Sequence, residues 1–191
     1  MRRSELLMIG GYSFKIEVVV IVCSGVLLSG PVQAGTYSIF LAEKYTNFTR
    51  EPTGAGPGWT IDASHRSGGA YAIGPGLNVG IPLGRLSVSI GGKALYVHSP
   101  VVGKSLATPV GVTANLRTSR TMSISSRFFY IPTAAFNSRQ GGYVQTGVGV
   151  RVNVDPALLE VGWRYERVAG RNGAYEQKLL NGPYVALGFA F

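Results

Sequence analysis

Two histidines each stand beside a serine, Ser64-His65 and His98-Ser99. A serine hydrolase needs a hydroxyl nucleophile, an imidazole base and an acidic orienter within hydrogen-bond reach. Both pairs fall in segments that alternate like β-strands, where consecutive side chains point to opposite faces. Neither serine is therefore aligned with its histidine. Two separated histidines and a single cysteine, Cys23, make no ligand set with metal-site spacing. The stretch GGYVQTGVG at 141–149 is rich in glycine, but no helix follows it to cradle an anion. No enzymatic activity and no cofactor are expected.

The remaining chemistry is charge. Asp62, Arg66, Lys93, Arg127, Arg151, Glu160, Arg164 and Glu166 all fall on the polar face of alternating segments. Enclosed together, five cations and three carboxylates must pair or stay hydrated, because isolated burial costs several kcal/mol or more. Either they form a salt-bridged, water-containing plug or they line a path that favours anions. The plug is preferred, since a small barrel holds little beyond side chains.

The elements that carry these charges alternate with period two. Leu159, Val161, Trp163 and Tyr165 oppose Glu160, Gly162, Arg164 and Glu166. Val144, Val148, Val150 and Val152 oppose Gln145, Gly147, Gly149 and Arg151, and Met122, Ile124, Phe128 and Tyr130 oppose Ser123, Ser125 and Arg127. In the last segment Val185, Leu187, Phe189 and Phe191 share one face, opposite Ala186, Gly188 and Ala190. That aromatic ending resembles the signal by which outer-membrane proteins are recognised for insertion. The pattern predicts an all-β fold, a small antiparallel transmembrane β-barrel. A soluble sandwich also alternates, but here the polar face is rich in Gly, Ala and Ser, as a narrow lumen requires.

Counting back from Phe191 gives eight strands, the first at 58–66, with ten as the alternative count. The segment 36–45 also alternates and would spoil the even parity, so 35–56 is left as a pre-barrel segment or an extra strand. Short connections are expected at 82–85, 117–120 and 155–156, and longer external ones at 97–104, 132–142 and 169–182. Tyr71, Tyr96, Tyr130 and Tyr165 then mark one membrane interface, and Phe189 and Phe191 the other.

Composition agrees. Of 191 residues only 14% are charged, yet beyond the N-terminal region no apolar run reaches the 18 to 20 or so residues of a spanning helix. Residues 1–34 read as a signal peptide: Arg2, Arg3 and Lys15, an apolar stretch, then Val32-Gln33-Ala34 as a cleavage site. The barrel would occupy 35–191. Cys23 lies in the leader, which suits passage through an oxidising compartment. The net charge of +9 usually suggests nucleic acid, but export to the bacterial outer membrane points instead to lipid headgroups and lipopolysaccharide phosphates.

Three stretches carry a family likeness: LNVGIPLGRLSVSIGGKALY at 77–96, LEVGWRYERVAGRNG at 159–173 and NGPYVALGFAF at 181–191. Together they resemble the YfaZ family of outer-membrane proteins. The resemblance implies an outer-membrane barrel and no particular activity. The expected function is a structural or surface-interaction role, with Lys104, Arg139, Arg171 and Lys178 placed in or beside external loops to meet lipopolysaccharide. During biogenesis the partner would be the outer-membrane assembly machinery. A small channel for anionic solutes ranks second, and a lipid A or phospholipid hydrolase using His65 or His98 ranks third.

Overall fold

A computed structural model describes residues 34–101, 103–131, 140–170 and 176–191. Of the expected leader only Ala34 lies among them. The strand segments are β1 (Gly35–Ala42), β2 (Tyr45–Pro52), β3 (Gly56–Arg66), β4 (Ala70–Leu83), β5 (Leu86–Lys93), β6 (Leu95–Ser99), β7 (Gly103–Ala107), β8 (Val110–Arg117), β9 (Met122–Ile131), β10 (Gln140–Val154), β11 (Ala157–Gly170) and β12 (Gln177–Ala190). All pairings are antiparallel. Segments β5 and β6 form one continuous strand, because both pair with β4 in a single register and Ala94 N–H bonds the Pro75 carbonyl at 2.8 Å. Segments β7 and β8 likewise form one strand along β6 and β5. Its ladder is interrupted at Pro109, which has no N–H to donate. The result is ten strands, each bonded to its chain neighbour, with β12 bonded back to β1 and no open edge.

The count of eight is thus corrected to ten. Residues 58–66 do begin an eight-strand run, but 35–52 adds a complete hairpin, β1 and β2, rather than a pre-barrel segment. Two features hid β2. Its turn is the pair Glu43–Lys44, with Lys44 at φ 56°, so no glycine or asparagine marks it. Its faces are also blurred: Tyr45, Asn47 and Thr49 point inward, whereas Thr46, Phe48 and Arg50 point outward. The expected long connection at 97–104 is corrected too. Strands β6 and β7 run to Ser99 and from Gly103, so most of 97–104 is strand.

Gly35 and Phe191 lie at one end of the barrel, with the turns 53–55, 84–85, 118–121 and 155–156. We call this the near end. The far end carries 43–44, 67–69 and the termini Ser99, Gly103, Ile131, Gln140, Gly170 and Gln177 of their strands.

The wall is inside-out relative to a soluble protein. Leu77, Ile81, Ile90, Ile124, Phe128, Val148, Leu159, Trp163 and Leu187 are exposed, whereas Asp62, Arg127, Gln145, Glu160, Arg164 and Glu166 are buried. Exposed apolar bands and buried charges are the informative kind of distribution. They fit a barrel bathed in hydrocarbon with a polar lumen. Aromatic side chains cluster outward at both rims. Tyr71 packs on Tyr96 with centroids 6.1 Å apart and Phe128 on Tyr130 at 6.5 Å toward the far end, while Tyr37 packs on Phe48, Phe189 and Phe191 at 5.1 to 5.8 Å near the seam.

Candidate functional site

Ten strands enclose more space than eight, and large side chains fill it in layers. The far third is mostly apolar: Ala70, Ala72, Leu95, Val97, Ile131, Val168, Leu179 and Leu180 form one buried cluster with Tyr45 and Tyr143, beside the buried Ser99 and Ser105. An ordinary hydrophobic core thus stoppers this end, where the sequence suggested a wet ionic plug.

Below it, Glu166 gathers donors from four strands. Tyr45 Oη reaches Oε2 at 2.6 Å, Arg164 Nη2 at 3.1 Å and Gln145 Nε2 at 3.4 Å, while Tyr143 Oη and Ser64 Oγ reach Oε1 at 2.9 and 3.1 Å. Asp62 accepts from Lys93 Nζ at 2.5 Å and Asn47 Nδ2 at 2.6 Å. Arg164 Nη1 in turn donates to Asn47 Oδ1 at 2.8 Å, joining the two carboxylates into one network. Aromatic faces add cation–π contacts: Lys93 Nζ sits 3.9 Å over Phe129, and Arg164 stacks 5.3 Å over Phe40.

The next layer centres on Glu160. Arg151 grips it with Nε at 2.8 Å and Nη2 at 2.7 Å, and Tyr184 Oη donates at 2.5 Å. Arg127 lies between Glu160, at 3.7 Å, and Glu51, at 3.3 Å. Toward the near end small polar side chains such as Asn78, Ser87, Ser89 and Thr113 line a half-exposed vestibule.

All eight charges named from sequence face the interior, in three groups. Asp62, Lys93, Arg164 and Glu166 share the first network, and Arg127, Arg151 and Glu160 the second. Arg66 stands apart at the far rim, where Nη1 donates to the carbonyls of Lys178 and Leu179 at 2.9 and 2.8 Å. Glu51, concealed with β2, supplies a fourth carboxylate. Among the described residues the two networks therefore hold four cations and four carboxylates, with Arg66 outside them, and the inward excess of two cations counted from sequence shrinks to one. Tyr45 and Asn47 were missed for the same reason as Glu51. Tyr143 and Tyr184 were legible by parity, since they share a face with Gln145 and Ala186.

The histidines are outward and their serines inward. Ser64 bonds Glu166 and Ser99 bonds Gln177, while His98 packs against Tyr71 at 5.1 Å. Among the described residues no group of three or more His, Cys, Asp or Glu is placed to hold a metal ion. Val185, Leu187, Phe189 and Phe191 all face outward and are exposed. Lys104 and Lys178 are exposed, each second in its strand, β7 or β12, and so beside a connection. Arg139 and Arg171 lie outside the described residues.

Similarity to known proteins agrees with this architecture. The chain is 27% identical over 172 residues to "Outer membrane protein YfaZ" of Escherichia coli (strain K12), covering 86% of this chain and 93% of that protein. No solved structure matches. The family model described as "YfaZ precursor" matches residues 15–191. With its ten-stranded inside-out barrel, the chain belongs to the YfaZ family and is a protein of the outer membrane.

Proposed function

We propose that this barrel is a closed, non-catalytic component of the outer membrane whose far rim engages lipopolysaccharide. The observation that carries the reading is the placement of cations. Lys104 on β7, Arg167 on β11 and Lys178 on β12 all point outward near the far end, beyond Tyr96 and Tyr165 on the same wall. Cations just above an aromatic girdle sit where lipid phosphates lie. The chain's near end, with its short turns, then faces the periplasm. The filled lumen supports a structural role over conduction. The exposed set Val185, Leu187, Phe189 and Phe191 serves as the insertion signal read by the outer-membrane assembly machinery.

The test replaces Lys104, Arg139, Arg167, Arg171 and Lys178 together by glutamine. Lipopolysaccharide co-purifying with the folded barrel should fall several-fold, most clearly at low salt where screening is weakest. Unchanged co-purification would remove the proposal.

A further inference from the structure

The outer wall carries a depression of about 380 Å³ between β8 and β11. Its floor is made of small side chains, Ala114, Ser126 and Thr146, and its rim of Phe128, Trp163 and Tyr165. These residues are cross-strand neighbours: Ala114 opposes Ser126, and Thr146 opposes both Phe128 and Tyr165. Two properties set the spot apart. Tryptophan on a membrane wall belongs at the interface, yet Trp163 lies at the middle of β11 and is 52% exposed. Ser126 and Thr146 also place hydroxyls at mid-height on an otherwise apolar band.

The same face leads upward to a pair of cations. Arg167 is four residues beyond Trp163, about 13 Å along the strand and comparable to half the roughly 25 Å apolar band of such barrels. Arg167 lies directly opposite Lys178. Like charges in that position repel. A register shift at Glu166/Arg167 creates the pairing, since Leu179 and Leu180 both turn inward there and Lys178 comes out beside Arg167. Bulges of this kind re-aim side chains. Glu176 takes one guanidinium nitrogen at 2.6 Å, while Arg167 Nε has no hydrogen-bond partner among the described residues. Glu176 thus pairs with Arg167, and Lys178 makes no ion pair among the described residues.

We infer that this face binds a single outer-leaflet lipid, its phosphate held by Arg167 and Lys178 and one acyl chain laid down into the depression against Trp163. The site deepens the reading given above and rests on it. Arginine suits the phosphate because its planar fork offers two parallel donors. The chain length between headgroup and groove matches the depth of one leaflet.

Native mass spectrometry of the full, folded protein in zwitterionic detergent tests the site, using dimyristoyl phosphatidic acid and dimyristoyl phosphatidylcholine as probes. The wild type should retain one phosphatidic acid at least tenfold more tightly than phosphatidylcholine. Filling the groove with A114L/S126L should weaken both lipids about tenfold, while the shape-preserving T146V leaves them unchanged. R167Q/K178Q should abolish the preference for the acid. These substitutions lie on the outer wall, and heat-modified gel mobility verifies folding. If A114L/S126L binds as the wild type while R167Q/K178Q does not, the groove is overturned and the rim reading stands. If both variants bind as the wild type, the site is overturned. A wild type without preference for the acid would overturn the site, while the rim reading stands or falls separately on lipopolysaccharide co-purification.

Discussion

Tyr184 reaches Glu160 by lying across two glycines on neighbouring strands. Its hydroxyl donates to Oε1 at 2.5 Å, and Gly162 opposes both Gly149 and Tyr184 in the ladder. A methyl group on Gly149 would meet Tyr184 Oη at 2.6 Å, whereas one on Gly162 would meet the Val148 carbonyl oxygen at 2.2 Å. The first clash is with a side-chain tip and the second with backbone.

From this follows a double-mutant test. G149A should cost about 1 to 3 kcal/mol through overpacking, and Y184F should relieve part of it. G162A should cost more and resist rescue by Y184F. Urea midpoints of the refolded variants in lipid vesicles measure both; equal rescue at the two positions would contradict the geometry.

Glu166 is the most connected lumen carboxylate. E166A leaves Arg164 without its buried counter-ion and strips an acceptor from Tyr45, Tyr143 and Ser64. Loss of one partner from a buried pair costs about 3 to 5 kcal/mol. E166Q, which keeps the shape and one carbonyl acceptor, should lose less. An E166A midpoint within error of the wild type would show that water replaces the network.

Conduction is predicted to be absent. The apolar cluster around Leu95, Val97, Ile131 and Leu180 stands between the far end and the charged layers, and ions do not cross a dry apolar constriction. Planar-bilayer recordings of folded protein should show no discrete openings. Openings that persist in protein verified by heat-modified mobility would mean the stopper is not closed in a membrane.

The outward face is predicted to respond to charge by depth. V148R, at mid-wall, should destabilise the barrel by about 2 to 4 kcal/mol, and L83R, beside the near-end turn 84–85, by at most about 1 kcal/mol. Equal effects in vesicle unfolding would place the apolar band elsewhere.

Most of the barrel was legible wherever one face was clearly apolar and the other clearly polar. In β9 the alternation of Ile124, Phe128 and Tyr130 with Ser125 and Arg127 leaves no second register, because a slip of one residue would exchange lipid for lumen. The same parity placed Glu160, Arg164 and Glu166 inside. It failed in β2, whose inward Tyr45 is amphipathic and whose outward Arg50 is a cation. Arg50 survives there because its guanidinium stacks 3.5 Å over Trp59 and donates to the Trp59 carbonyl at 2.5 Å, a partnership that no local pattern announces. With β2 went Glu51, and with Glu51 the correct charge balance. The lumen's layering was likewise hidden: parity says which residues point inward but not at what height, and Leu95, Val97, Ile131 and Leu180 meet only once the barrel closes.

The seam between β1 and β12 is flanked on one side by β2 and on the other by β11. Tyr45 to Glu166, at 2.6 Å, and Asn47 to Arg164, at 2.8 Å, tie those two flanking strands together through the interior. They act as spokes across a hoop at its one joint. Peeling β1 from β12 would have to stretch charged bonds in a medium with little water to replace them, so this barrel is latched against sideways opening into the bilayer.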